Sequence, residues 1–199
     1  MVRGAFDLVF DGPRLNAYRI EKFQHEILVK LPGTFQFAIV ARENPPFVFK
    51  GRPRLYGRRF CVPAPPNLGT LILLRLYDNP LRQPLIVSRP DFRSVHEWVI
   101  QGRCDAGVIP LAQLRRFDPQ EKTRVLYFSA EMPNQALSAG PRVSRGERLR
   151  IIAALTGTDG LAITEPLRAA WGTHEGFVAA QRDEYADLST CLRDQWGFY

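Results

Sequence analysis

The run SRPDFRSVHEWVIQGRCDAGVI, Ser88 to Ile109, reads almost residue by residue. Arg89-Pro90-Asp91 is a polar turn, and the Asp91 carboxylate suits the free N–H groups of a following first helical turn. Phe92, Val95 and Val99 then recur at helical spacing, with Trp98 beside the stripe. Gly102 stops the helix, because glycine tolerates the left-handed backbone of a C-terminal cap. Cys104 to Ile109 is a short apolar run suited to a buried strand, and Leu85-Ile86-Val87 supplies another strand in front of the helix. Strand, helix, glycine and strand in so short a span predict a βαβ unit of an α/β sheet. Asp105 interrupts the second apolar run. A carboxylate there either bonds locally at the turn or opens onto a crevice, so it is read both as a brace and as a ligand contact.

Upstream, Phe6 to Phe10 reads as a strand broken by Asp11-Gly12-Pro13, and Arg14 to His25 as a helix. Ile27 to Leu31 and Phe35 to Ala41 follow as strands. Asp11 and Arg14 flank Gly-Pro at a strand end, where α/β sheets place ligands. Arg14 could pair with a carboxylate or phosphate, the plain alternative being an exposed arginine at a helix start. Residues 63–70, PAPPNLGT, lead into the apolar run Leu71 to Leu76, so Asn67, Gly69 and Thr70 stand at a helix N-terminus. Such a terminus either holds an anion or is merely capped by Asn67 or Thr70. Arg93 lies in the first turn of the Asp91-capped helix, facing the expected crevice. Downstream come a strand from Thr123 to Ser129 and a returning strand from Ala136 to Ala139. Ser144 and Glu147 have capping-box spacing, and Leu149, Ile152, Ala153 and Leu155 are expected to form the apolar face of the helix they open. Helices from Thr164 to Trp171 and from Asp183 to Trp196 complete the reading.

The 199 residues are 45% hydrophobic and 24% charged, enough for an ordinary core in one domain or two small lobes. The net charge is +7, carried mostly by arginine, yet only Arg52 to Arg59 forms a cluster and no recognition motif accompanies it. A nucleic-acid partner is therefore not expected, while small anions are favoured in a general way. Cys61, Cys104 and Cys191 are odd in number and lack C-x-x-C spacing, and Cys61 and Cys104 are expected as small buried hydrophobes. His25, His96 and His174 are far apart, so no metal and no cofactor are assigned. No apolar run is long enough for a transmembrane helix, and MVRGAFDLVFDGP lacks the apolar core of a signal peptide. No nucleophile has a plausible base by local spacing, so the chain is not read as an enzyme.

Val99 to Val108, a helix end followed by Gly102, Asp105, Ala106 and Gly107, resembles the phosphonate-type periplasmic binding proteins, the solute receptors of ABC importers. FDLVFDGPRLNAYRI, GTFQFAIVARENPP, Leu55 to Val62, Glu131 to Gln135 and His174 to Val178 resemble further family segments in order. The resemblance implies an α/β fold of two lobes, the type 2 periplasmic-binding-protein architecture. Lobe one would hold residues 1–43 and 134–199, and lobe two residues 44–133. It implies a small anionic or zwitterionic solute in an inter-lobe cleft, an ABC permease as partner, and a periplasmic location. The ligand-binding set it suggests is Asp11, Arg14, Asn67, Gly69, Thr70, Arg93 and, foremost, Asp105. The chain departs from the family in three places. The loop at 63–70 has no serine, Asp91-Phe92 stands where Ser-His is usual, and a βαβα section ahead of Phe6 is missing. An incomplete first lobe is therefore expected, with a homodimer covering its exposed sheet edges. Two other uses of the same fold stay open: a cytoplasmic ligand-sensing domain like the effector domain of LysR-type regulators, and an enzyme of cofactor biosynthesis.

Overall fold

Two crossings of the chain, at Phe35/Gln36 and Ala130/Glu131, divide it into two α/β units. The computed structural model describes residues 6–47, 55–64, 67–77, 82–186 and 188–189. Unit 1 begins with β1 (Leu8–Asp11), α1 (Pro13–Phe23), β2 (Glu26–Lys30) and β3 (Thr34–Phe35). Unit 2 holds β4 (Phe37–Arg42), β5 (Arg59–Pro63), α2 (Leu68–Arg75), β6 (Leu85–Arg89), α3 (Phe92–Ile100), β7 (Ala106–Pro110), α4 (Leu111–Phe117) and β8 (Thr123–Phe128). The chain then returns to unit 1 through β9 (Met132–Pro133), β10 (Ala136–Ala139), α5 (Arg145–Thr156), α6 (Thr158–Ile163), α7 (Glu165–Ala170), β11 (Val178–Ala179) and a 3-10 turn at Asp183–Tyr185.

Unit 2 is built on a five-stranded sheet in the order β6-β5-β7-β4-β8. β5 lies parallel to both β6 and β7, whereas β4, the strand that has just crossed over, runs antiparallel to β7 and β8. Because β4 is paired on both sides within this sheet, the unit begins at Gln36, ahead of the 43/44 boundary read from the sequence. The expected strand–helix–strand of residues 85–109 is present. Asp91 caps α3 through Ser94 N at 2.8 Å, Gly102 takes φ +70°, and β7 is buried along its whole length. At Gly107 the helix meets the strand without a side chain between them, since a Cβ there would come within 2.6 Å of Val95 Cγ1. Ala38, Val40, Cys61, Val95, Val99, Ile109 and Leu114 form the core of this unit.

Cys61 and Cys104 are joined in a disulfide inside that core, with Cα atoms 5.7 Å apart. This corrects the expectation of two inert buried thiols. Cys61 sits on β5 and Cys104 in the turn before β7, and the parallel pairing of those strands brings the two together across 43 residues of sequence. Local spacing could not reveal this.

Unit 1 has a four-stranded sheet in the order β1-β10-β2-β11, every pair antiparallel. β10 separates β1 from β2, as β4 separates β7 from β8 in unit 2. The two units therefore repeat one motif: strand, helix and strand, with the incoming strand wedged between. In unit 2 two more strands, β5 and β6, continue beyond β7. Among the described residues of unit 1 no strand continues beyond β1.

Other elements match the sequence reading in part. The capping box of Ser144 and Glu147 is present, and of the expected apolar face Ile152 and Leu155 pack partly buried against Val29, Leu31 and Phe177, whereas Ala153 is exposed and Leu149 is 58% exposed. After Gly157, α5 leads straight into α6. α4 was not foreseen, its seven residues being too short for a periodic signal. Where the helix from Asp183 was expected, the described residues form 3-10 turns at Asp183–Tyr185 and at 188–189; residues 187 and 190–199 lie outside the described ones, as do Arg52 and Arg54 of the basic cluster.

Candidate functional site

In unit 2 the connection after β5 leads to β6 on one side, while the connection after β7 leads by α4 to β8 on the other. The carboxyl ends of β5 and β7 thus flank a topological switch point, where diverging loops leave a crevice. Asn67, Gly69 and Thr70 stand at that point. The Asn67 side chain caps α2 by accepting from Gly69 N at 2.9 Å. The Thr70 hydroxyl is buried and donates to the Pro63 carbonyl, fixing the first turn of α2 against the end of β5. Gly69 comes close to Phe37, where an added Cβ would lie 3.0 Å from Phe37 Cε1. Phe37 is paired with Pro110 at the end of β7, and its ring centroid is 6.1 Å from that of Phe92, the first residue of α3. The N-terminal ends of α2 and α3, Phe37 and the end of β7 therefore share one edge.

Both side chains expected to touch a ligand from the loop at 63–70 are spent on that loop. What α2 offers outward is backbone: first-turn N–H groups and the positive end of its dipole. The end of α3 is different. There the Asp91 carboxylate caps the helix, and the bonds from Ser94 backbone and hydroxyl hold its pKa below the usual carboxylate value. That terminus already has its anion. Arg93, in the same first turn, carries its guanidinium over the Phe117 ring of α4, 5.0 Å from the centroid. There it lines a groove of about 300 Å³ with His96 and Asp118. Asp118 is held below its ordinary pKa. Burial pushes it up, but bonds from Thr123 and Lys122 outweigh that.

Asp105 lies at the opposite end of the sheet. It precedes β7, and its carboxylate accepts from Arg59 N at 2.9 Å, while its own N–H donates to the Arg59 carbonyl at 2.9 Å. It clamps the amino ends of β5 and β7 together. Its carboxylate is thus engaged at the amino edge of the sheet, away from the loops that flank the switch point.

The corresponding strand end in unit 1 carries Asp11 and Arg14. Asp11 accepts from Gly12 N and from the buried Arg19, each at 2.7 Å, so it too serves as a brace. Asn16 donates to the carbonyls of Asp11 and Ala136, tying β1 to β10. Arg14 is half-buried, with Nε 3.3 Å from Met132 Sδ, and stands in the first turn of α1. The crossings are also pinned within their units. Phe37 N donates to Ser129 Oγ at 3.0 Å, and Gln36 Nε2 to the Ser129 carbonyl at 2.8 Å. Phe37, Ser129 and Arg19 were not singled out in the sequence, and Phe92 was read there only as part of the apolar stripe of a helix. The only trace of them there is position, immediately beside a cap or a crossing.

The family model of ABC-transporter phosphonate periplasmic substrate-binding proteins matches residues 1–185. The chain belongs to this family. Its members are transport receptors rather than enzymes, which implies a small solute and a permease as partners. Solved structures agree on the fold. A Xanthomonas citri protein bound to ATP superposes with a TM-score of 0.73 at 16% identity, covering 96% of this chain and 79% of that one. PhnD1 from Prochlorococcus marinus, in complex with methylphosphonate, gives 0.70 at 14% identity over 94% and 78%. A binding-protein component of an ABC phosphonate transporter from Pseudomonas aeruginosa gives 0.61 at 14% identity over 95% and 68%. A comparison with curated proteins returns no match.

Proposed function

We propose that this receptor takes a small anionic or zwitterionic solute at the carboxyl edge of the unit 2 sheet, in the periplasm, and delivers it to an ABC permease. The observation that carries the reading is the switch point between β5 and β7, with the N-terminus of α2 beside it. The first-turn backbone of α2 supplies N–H donors to the anionic group at Leu68 and Thr70, since Asn67 N bonds the Ala64 carbonyl and Gly69 N the Asn67 side chain. Arg14 of unit 1 and Arg93 are the candidate cations, Arg93 needing to leave Phe117 to reach a ligand. Asp91, ionised at neutral pH, and the Phe37–Phe92 pair favour a solute with an amino or apolar part beside its anion over a bare phosphate. Asp11 and Asp105 hold the scaffold and are left out of the contact set. The crossings at 35/36 and 130/131 are the hinge candidates for closure of the two units on the solute in the cleft between them. The disulfide in unit 2 supports an oxidising compartment.

The test is calorimetric titration with methylphosphonate, an aminoalkylphosphonate, phosphate, a sulfonate and amino acids. Binding of the aminoalkylphosphonate more tightly than phosphate is the expected result. Flat traces for every solute would remove the reading.

A further inference from the structure

Arginines that lie far apart in the sequence are gathered by the fold along one edge of the unit 2 sheet. The pairing register sets the end of β4 level with the starts of β5, β7 and β8, at the amino edge, opposite the switch point. Arg42 ends β4, Arg58 and Arg59 enter β5, and Arg124 is the second residue of β8. Two of these guanidinium groups close on the turn before β7. Arg59 Nη2 lies 3.4 Å from the Gly102 carbonyl, and a Cβ on Gly102 would lie 3.3 Å from Arg42 Nη1. Arg103 stands in that turn, and Lys122, whose carbonyl accepts from Glu43 N at 2.9 Å, stands just ahead of β8. Arg59, Arg103, Lys122 and Arg124 are exposed. Among the described residues, no carboxylate lies within ion-pair distance of Arg42, Arg103, Lys122 or Arg124. The carboxylates at this edge are Glu43, Glu121, Asp105 and Asp118, and the last two are already spent on backbone N–H groups.

The residues outside the described ones do not offset this charge. Residues 48–54 join Phe47, over which Arg58 lies at 4.7 Å, to Leu55, and they bring Lys50, Arg52 and Arg54 without a carboxylate. No other such segment carries more than one net negative charge. Counted whole, residues 36–130 hold fifteen Lys and Arg against seven Asp and Glu, a net +8, while the rest of the chain holds twelve against thirteen, a net −1. The surplus therefore belongs to one unit, and the register concentrates it at one edge of that unit.

We propose that this edge docks on an anionic phospholipid surface. The cations are nearly all arginine, whose planar fork takes a phosphodiester in bidentate fashion. They share the face with aromatic rings. Arg89 and Arg103 lie over Trp98 at 3.7 and 5.2 Å, and Arg82 over the exposed Tyr56 at 5.7 Å. Such rings are at home in the headgroup layer of a membrane. A nucleic acid would call for a recognition motif, which the sequence lacks. A receptor that delivers to a permease gains from this contact, because attraction to the lipid surface concentrates it in the layer where the permease sits. On that last point the inference rests on the proposed function.

The test is co-sedimentation of the full chain with vesicles of phosphatidylcholine alone and of phosphatidylcholine mixed with phosphatidylglycerol. Binding to the mixed vesicles only is expected, and its loss at about 1 M salt, where the screening length falls to about 3 Å. Arg103→Glu with Arg124→Glu reverses two exposed charges of the edge and is expected to weaken binding about tenfold with an unchanged circular dichroism spectrum. Lys122→Glu is expected to weaken it in the same direction, covering the case in which the double variant fails to fold. Arg145→Glu with Arg182→Glu makes the same change of net charge on unit 1 and is expected to leave binding within about twofold. No solute is added, so failure here leaves the receptor reading intact. No binding to the anionic vesicles, or an equal loss in both double variants, would overturn the proposal. So would preference for polyglutamate or DNA over the anionic vesicles, which would assign the face to a macromolecule instead.

Discussion

Asp91, Asp105 and Asp11 show how much one residue type can be asked to explain. All three are carboxylates beside turns, and in each the nearest backbone N–H is a partner: Ser94 for Asp91, Arg59 for Asp105 and Gly12 for Asp11. The cap of Asp91 was legible because its N–H partner lies three residues along the same helix. The clamp of Asp105 was not, because Arg59 is 46 residues away and reaches it only through parallel pairing. Replacing Asp91 by Ala is expected to cost about 1 kcal/mol at neutral pH, read from the urea midpoint. Its folded pKa lies below the unfolded one, so the contribution is present above the unfolded value and fades as the pH drops through the folded value. The gap between wild type and variant should therefore close below about pH 4. Asp11→Ala leaves the buried Arg19 guanidinium without its carboxylate and should cost about 3–5 kcal/mol. A loss of solute affinity with no change in stability would instead make Asp11 a ligand contact.

Elements were legible where pattern and punctuation agreed. α3 has a cap, a stripe and a glycine stop, and was read to within a residue; the returning strand β10 was read end to end. α5 has the cap but only part of the burial. Of the face the sequence suggested, Ile152 and Leu155 pack partly buried against Val29, Leu31 and Phe177, while Leu149 stays in solvent. The contact of α3 with β7 depends on Gly107, where Ala would press on Val95 Cγ1 and Val99 Cγ2. Gly107→Ala is expected to destabilise by about 1–3 kcal/mol in urea unfolding; an unchanged midpoint would mean that α3 rides further from the strand. The disulfide belongs to this scale too, since it fastens β5 to the turn before β7. In unfolded, unreduced protein a thiol assay should find one reactive group, Cys191, and reduction should lower stability by about 2–4 kcal/mol. Three thiols would refute the pairing.

At the scale of the molecule, the family and the two-part α/β organisation were recoverable from ordered segments of sequence. The closeness of the α2 end to Phe37 and Phe92 was not. Strand order, rather than any residue, creates a switch point, and strand order is a product of long-range pairing. That is why Asp105 and the α2 end at Asn67 to Thr70 both stood out in the sequence, although they lie at opposite edges of the sheet. The claim that remains is spatial: the solute meets the carboxyl edge of the unit 2 strands, not the amino edge. Amide chemical-shift mapping tests it most directly, with the solute that gives the strongest calorimetric signal added to isotope-labelled protein. The account predicts the largest shifts at Asn67 to Thr70 and around Phe37 and Phe92, with Arg59 and Asp105 nearly still. Shifts centred on Arg59 and Asp105 would contradict it.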